Sequence, residues 1–438
     1  MLIETLGHRI LNGSLAVISP SGSVTTFGEK TADQAAAKVV VRVTRWITAL
    51  KLGLWPDLYL GEAYMNGSLV LERGDLRDLL DICGRNQMQG PSKSGYLGRV
   101  LKALLRRFRQ RNAGQAARRN VAHHYDLSHT LFEAFLDQDL QYSCAYFRAP
   151  GISLDEAQRA KKDHIAAKLL LRPGQRVLDI GCGWGGLALT LAELEDVEVT
   201  GVTLSQEQLQ IARQRARQRG LARRVQFELC DYRAIEGKFD RIVSVGMLEH
   251  VGVPNYGKFF DKVSSLLTDR GIALIHSIGR MRGPDVTSAW IRKYIFPGGY
   301  IPALSQIFPA IESAGLWLTD LEILRLHYSE TLRLWRQNFL SRKAELAQAY
   351  DERFCRLWEF YLAASEMSFR YGGMMVFQAQ LSRHIAAVPL TRAYLSYQER
   401  SCPPSLLLSD ALGTDAASLK AIGTRTHRVE VLSREARQ

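Results

Sequence analysis

A chain of 438 residues exceeds what one hydrophobic core usually organises, and at roughly 150 residues per domain it predicts two or three units, with two as the simpler expectation. The 46% hydrophobic and 23% charged content excludes a largely disordered chain. A formal net charge of +13 excludes a strongly acidic protein and points to an anionic partner, nucleic acid or the head groups of an acidic bilayer, without choosing between them.

The opening stretch, MLIETLGHRILNGSLAV, lacks the long apolar core of a signal peptide, and no later stretch offers the ~18 uninterrupted apolar residues of a membrane span. Any contact with a membrane is therefore expected from its surface, in a cytoplasmic protein. NGSLAVISPSGSVTTFG alternates like short strands joined by a turn, and GDLRDLLDIC reads as a short helix, so residues 1–95 are expected to form a small α+β domain. LGRVLKALLRRFRQR follows, with Leu97, Val100, Leu101, Leu104, Leu105 and Phe108 at helical spacing and arginines and a lysine on much of the remainder. This basic amphipathic segment, within 96–120, suits either an anionic bilayer surface or a helix docked between domains with its arginines in water. The polar NAGQAARR after it places a domain boundary between about 95 and 120.

Beyond residue 150 strands and helices alternate. QRVLDIGCG is a buried strand entering a glycine loop, GLALTLAEL a helix, VEVTGVTL a strand, and SQEQLQIARQRARQRG a helix closed by Gly220. RVQFELCD, FDRIVSVG and GIALIHSIG add three strands, with KFFDKVSSLLTDRG as a helix before the last. The fold class is α/β, a doubly wound Rossmann-like sheet over 121–395 beside the small N-terminal α+β domain. The aromatic, Gly- and Pro-rich excursion 280–302 leaves the fifth strand at the edge where substrate chambers are built. Residues 329–386 read as helices, and 396–438 as a tail with no clear period. The six cysteines, Cys83, Cys144, Cys182, Cys230, Cys355 and Cys402, are scattered without CxxC spacing, which argues against a zinc site or disulfide framework.

DIGCGWGG holds Gly181, Gly183, Gly185 and Gly186 and satisfies both GxGxG and the dinucleotide pattern GxGxxG. A nicotinamide site would place an acid at the end of the second strand, about 20 residues on, to hold the ribose. That strand ends GVTLS, with no acid. The acid instead precedes the glycines, as Asp179, in the DxGxGxG arrangement of S-adenosylmethionine enzymes, and Asp231 at the end of the third strand stands where such folds hold adenine. Asp231 could equally be a turn residue.

Three further groups fall at the carboxyl ends of strands: Glu249 in GMLEHVG, His276 in ALIHSIG, and Tyr328 after an expected sixth strand. Singly, each suits a turn cap, a core histidine or a packed tyrosine. Together on one edge, they suit a catalytic crevice.

The run HHYDLSHTLFEAFLDQDLQYSCAYF, then LDIGCGWGG, GVTLSQEQ, GMLEHVG and IHSIG in that order, resembles the cyclopropane fatty acid synthase family of S-adenosylmethionine-dependent lipid enzymes. The resemblance spans residues 60–395, and GEAYMNGSLV and GDLRDLLDI extend it to the lipid-engaging N-terminal domain of the full-length bacterial synthases. It implies that Tyr142, Ser143, the loop from Asp179 through Gly181, Gly183 and Gly185, Thr203, Ser205 and Gln208 contact S-adenosylmethionine, with Asp231 and Tyr232 beside the adenine. It implies a bicarbonate ion held by Cys144, Glu249, His276, Ile278 and Tyr328, the isoleucine through its backbone. It also implies a peripheral enzyme at the inner face of a bacterial membrane, acting on unsaturated phospholipid acyl chains, with no nucleic-acid partner and a plausible homodimer.

In the chemistry so implied, an alkene takes the sulfonium methyl, the resulting carbocation needs a dry pocket, and a base removes a proton from the new methyl so that the ring closes. The aromatics Trp290, Tyr294 and Phe296 are expected to line the acyl tunnel and stabilise positive charge. One departure stands out: FYLAASEMSF carries Ser365 where the family commonly has a cysteine, and Cys355 lies too far away to replace it. The same fold with another fate for the cation would give a methyl-branched or methylene-substituted chain. A basic nucleic-acid methyltransferase and a non-catalytic lipid-binding protein are the other classes. MLEHVG after the fourth strand, rather than a proline-aromatic motif, speaks against the former.

Overall fold

The computed structural model describes residues 12–28, 37–87 and 129–396. The expected basic helix within 96–120 and the tail beyond 396 lie outside the described residues.

The N-terminal unit is built on a four-stranded sheet of order β2-β1-β3-β4. β1 (Ser14–Ile18) and β2 (Val24–Gly28) form the expected antiparallel pair; β3 (Val39–Val43) runs parallel to β1, and β4 (Leu69–Arg73) antiparallel to β3. Alternation along VVVRV sends Val39, Val41 and Val43 into a core with Leu15 and Val17. Helices α1 (Trp46–Leu54), α2 (Pro56–Met65) and α3 (Leu76–Gln87) complete the unit, and Leu79 and Ile82 of α3 close that core.

The second unit opens with α4 (His129–Phe135) and α5 (Leu154–Leu169), the latter started by a capping box in which Ser153 Oγ accepts from Glu156 N at 3.2 Å. Then come β5 (Arg176–Ile180), α6 (Gly186–Leu194), β6 (Glu198–Thr203), α7 (Gln206–Gln218), β7 (Val225–Leu229), β8 (Phe239–Val245), α8 (Tyr256–Leu266) and β9 (Leu267–Arg280). These five strands are mutually parallel, as expected. β5 is apolar on both faces because both are covered: Leu178 and Ile180 meet Phe259, Phe260 and Val263 of α8, and Val177 meets Leu187 and Leu191 of α6. The helix expected over KFFDKVSSLLTDRG ends at Leu266, since Leu267 is already extended and pairs with Phe239.

After β9 follow α9 (Ala289–Tyr294), α10 (Leu304–Ser313), β10 (Trp317–Leu324), α11 (His327–Ser341), α12 (Lys343–Ala349), α13 (Glu352–Arg370), β11 (Met374–Ser382) and α14 (Ala393–Ser396). The sheet order is β10-β11-β9-β8-β5-β6-β7. This corrects the helical reading of 329–386: MMVFQAQLS is a strand, inserted antiparallel between β9 and β10. Phe377, Ala379 and Leu381 alternate along it with Gln378, Gln380 and Ser382, the period of a strand, and both sets are buried.

α13 joins the two units. Its buried Glu359 accepts from Tyr64 Oη at 3.0 Å, Lys343 Nζ at 3.1 Å and Arg336 at 3.4 Å, and its buried Glu366 accepts from Arg77 Nε at 3.0 Å. Buried carboxylates are tolerated only with such partners. Beside them α2, α9 and α13 meet at Gly61. A Cβ there would stand 2.3 Å from Trp290 Nε1 and 2.7 Å from Phe360 Cε1. Trp290, only 1% exposed, donates Nε1–H to Met65 Sδ at 3.2 Å, so it is a core residue joining the units rather than an exposed tunnel wall. Gly61→Ala is therefore expected to force these helices apart and cost about 1–3 kcal/mol, read as a lowered Tm. An unchanged Tm would show that the contact gives way without strain.

Candidate active site

At the carboxyl ends of β5, β6, β7 and β8 a cavity of about 300 Å³ opens. Tyr142, Ser143, Asp179, Gly181 and Gly183 line it, as do Thr203, Gln208, Asp231 and Tyr232. The two other residues expected at the cofactor act through the backbone they shape. Gly185 begins α6 at φ 81°, where a Cβ would fall 2.6 Å from Phe227 Cζ. Ser205 caps α7, its Oγ accepting from Gln208 N at 3.3 Å. Thr203 Oγ1 donates to Gln208 Oε1 at 2.9 Å, which holds that side chain at the end of β6. Asp231 combines both of its readings: it lines the cavity, and its Oδ1 accepts from Arg233 N at 3.0 Å and Nε at 2.8 Å.

Asp179 is 1% exposed, and its Oδ2 has no hydrogen-bond partner. Burial lifts its carboxyl from 3.8 to about 7, with the Lys161 ammonium pulling it back down. A buried carboxylate with a spare oxygen in a glycine-rested cavity is what a cationic ligand such as S-adenosylmethionine would stabilise. The residues present therefore fit that group.

The strand of chain carrying Tyr142 and Ser143 is clasped by α5. Gln158 Nε2 donates to Gln141 O at 3.1 Å and to Ser143 O at 2.9 Å. Lys161 Nζ donates to Gln141 Oε1 at 2.7 Å and to Ser143 Oγ at 2.8 Å, and Lys162 Nζ to Asp139 Oδ2 at 2.6 Å. Lys161 is fully buried, which lowers its pKa to about 8. Sequence reasoning passes it over because AKKDH looks like a solvated helix face. The available signal is its place on the helical stripe of Leu154, Ala157, Ile165 and Lys168.

None of the five residues assigned to the anion lines that cavity. Glu249 sits in the turn after β8, between the buried Leu248 and the cavity-lining His250. Its Oε1 accepts from Ile278 N at 2.6 Å, while Oε2 is buried with no partner. Ile278 thus orients the carboxyl through its backbone. Burial raises Glu249 from 4.5 to about 7, with the Ile278 amide, its own backbone amide and the Ser277 hydroxyl opposing. His276 shares the β9 face of Ile278, and its Nδ1 lies 3.2 Å from Gln378 Nε2 on β11. Burial drives its pKa down to about 3, so the ring is neutral, and with Gln378 donating to Nδ1 the ring proton rests on Nε2. Gln378, on the unforeseen strand, is a second residue missed from the sequence.

Cys144 and Tyr328 belong to the same apolar cluster, with Ile278 packed against it. Tyr328 packs at 4.7 Å from Phe369 and 5.7 Å from Trp335. The Cys144 thiol is buried, donates to Ala145 O at 3.3 Å, and is pushed by burial far above the usual thiol range. A thiol so placed is a poor nucleophile. Ser365 is half-buried on α13 and does not line the cavity. Phe296 stands 6.0 Å from His250 and 6.1 Å from Tyr361, whose hydroxyl meets that of Tyr142 at 2.8 Å.

Lys161→Met leaves the half-buried Gln141 Oε1 and Ser143 Oγ without their lysine donor, and calorimetric titration is expected to show about tenfold or weaker binding of S-adenosylhomocysteine. Wild-type affinity would mean that the strap holds its shape without the ammonium. Cys144→Ser keeps a donor to Ala145 O and is expected to retain most turnover, in contrast to Glu249→Gln, which should abolish it while cofactor binding survives; total loss in the serine variant would return the thiol to the chemistry.

The family profile described as Mycolic acid cyclopropane synthetase matches residues 112–379, more than half of the chain. The chain is 40% identical over 331 residues to the cyclopropane-fatty-acyl-phospholipid synthase of Escherichia coli K12, covering 75% of this chain and 84% of that one. It is 38% identical over 327 residues to a probable fatty acid methyltransferase of Pseudomonas putida, covering 73% and 80%. The solved mycolic acid cyclopropane synthase CmaA1, complexed with SAH and CTAB, superposes with a TM-score of 0.58 at 33% identity over 60% of this chain and 97% of that one. A glycine-loop cavity with a spare buried carboxylate, and relatives matched over most of their length, lead to one conclusion: the chain belongs to the mycolic acid cyclopropane synthetase family of S-adenosylmethionine-dependent enzymes.

Proposed function

We propose that this protein transfers a one-carbon unit from S-adenosylmethionine across the cis double bond of unsaturated acyl chains in membrane phospholipids and closes a cyclopropane ring. A bicarbonate ion held among Cys144, Glu249, His276, Ile278 and Tyr328 would serve as base. The supporting observation is Glu249: one carboxyl oxygen is fixed by the Ile278 amide, the other is buried and unpartnered, and the group is poised near pH 7.

S-adenosylmethionine supplies an electrophilic methyl group when bound. The protein's own residues would do the rest. Asp179 offers a negative oxygen to a cation, and α5 holds the strap that closes the cavity. Neutral His276 donates through Nε2–H to a small anion without adding positive charge beside a carbocation. Glu249 takes up or relays the proton released on ring closure. The aromatic side chains of Phe296, Tyr361 and Trp335 keep water away from the cation.

Acyl chains lie in bilayers, so the reading includes work at a membrane surface, at its inner face. Among the described residues no helix is long and apolar enough to cross a membrane.

A second reading keeps the cofactor and acyl substrate but ends in a methyl or methylene branch. The likeness to the Pseudomonas putida protein, named a fatty acid methyltransferase and nearly as similar as the Escherichia coli synthase, favours it. A ring and a methylene branch have the same mass, so proton NMR of lipids from a host making the protein decides between them. Upfield ring-proton resonances are expected, and a branch without them would sink the cyclopropane reading.

The raised Glu249 pKa also fixes a pH dependence. The folded value, about 7, lies above the ordinary 4.5, so its stabilising contribution is complete below about 4.5 and is lost as pH rises to about 7. Glu249→Gln should therefore be more stable than wild type at pH 8, by on the order of 3 kcal/mol, and nearly equal to it at pH 4.5, by thermal denaturation. Equal Tm shifts at both pH values would mean that the carboxyl is not held in a dry place.

A further inference from the structure

Helix α1 is apolar almost all round. Its sequence WITALKLGL carries a single charge, Lys51. Thr48, Ala49 and Leu52 face inward, while Trp46, Ile47, Leu50 and Leu54 face out, 63, 54, 43 and 51% exposed, and Trp55 follows at 62%. Of the fifteen exposed large apolar side chains among the described residues, five fall in these ten positions. A helix apolar on every side belongs in a core or at a membrane, and exposed apolar patches mark interaction surfaces.

We propose that the outer face of α1, with Trp55, docks this protein onto an anionic phospholipid bilayer; the proposal rests on the lipid-substrate reading above. The two tryptophans stand at opposite ends of the apolar row, and such rings settle at head-group level. Two exposed cations, Arg45 and Lys51, flank the row, while the exposed Asp57 is engaged by Ala289 N and Lys293 is paired with Glu62. An apolar face with a cationic rim complements acyl chains below anionic head groups. A second copy fits less well, because a two-fold contact through one helix would bring the same cations together.

The patch is also tied to the reaction site. α2, which begins immediately after Trp55, holds α9: Asp57 Oδ2 accepts from Ala289 N at 2.9 Å, and Glu62 Oε1 from Lys293 Nζ at 2.7 Å and Tyr294 Oη at 2.8 Å. Beyond α9 the chain reaches Phe296, which packs on His250 of the cofactor cavity. Docking α1 therefore seats the segment between bilayer and cavity at the membrane.

The test uses the full chain and vesicles of phosphatidylglycerol and phosphatidylethanolamine, with phosphatidylcholine vesicles as the neutral comparison. Trp46→Ser/Trp55→Ser and Ile47→Ser/Leu50→Ser alter exposed positions and should keep the wild-type Tm. Each double variant is expected to sediment with anionic vesicles about tenfold less than wild type, and to lose methyl transfer to vesicle lipid in parallel. Transfer to detergent-dispersed lipid should be unchanged. Undiminished vesicle binding by both double variants overturns the proposal, as does undiminished binding with a shift in oligomeric state, which would make the occupant a second copy. Absence of transfer to detergent-dispersed lipid by the unaltered protein would instead sink the lipid-substrate reading, and vesicle binding would still decide the docking face.

Discussion

Exclusion of water from the carboxyl edge of the large sheet governs everything this protein does there. Four ionisable groups meet at that edge, and for each the largest influence is burial. Asp179 and Glu249 are both lifted to about 7, His276 is lowered to about 3, and Lys161 to about 8. Each is then corrected by one specific neighbour or accepts its altered state: Asp179 leans on Lys161, Glu249 on the Ile278 amide, and His276 stays neutral beside Gln378. Dryness also suits the chemistry proposed, since a carbocation survives only where no water can reach it.

That constraint explains the architecture around the edge. A wall of aromatic rings encloses it: Tyr142 stacks at 5.3 Å on Trp335, and Phe132 and Phe135 stand at 5.3 and 5.9 Å from Tyr142. The wall draws on α4, α11 and α13, and α13 is anchored in turn by the N-terminal unit through Tyr64 and Arg77. The small domain is thus part of the enclosure as well as a neighbour to it.

Much of this was legible from residue order. Strands β5 to β9 announce themselves as short apolar runs that alternate with amphipathic helices, and the position of Asp179 before the glycines separates the cofactor from a nicotinamide. The limits are physical too. In β11 the period of two is short, Phe377, Ala379 and Leu381 alternating with Gln378, Gln380 and Ser382 over six residues after a long helical stretch, and both sets are buried. Lys161 is invisible because a lysine is almost always solvated, and only the tertiary clasp on Gln141 and Ser143 reverses that. The aromatic company of Trp290 suggests a tunnel wall, but the absence of a side chain at Gly61 lets it pack as a core residue. WITALKLGL does not read as a basic amphipathic helix, because Lys51 is its single charge.

The late strand has a consequence in time. β9, Leu267–Arg280, is fourteen residues long with an apolar run from Ile272 to Ile275 at its middle, and one of its edges is covered only by β11. His276 and Gln378 are 102 residues apart. At ribosomal rates of about 5–20 residues per second, that edge stays open for roughly 5–20 seconds after His276 is made. During that window β9 is a template for pairing with any other extended chain, so the nascent protein passes through an aggregation-prone stage that its finished sheet no longer shows.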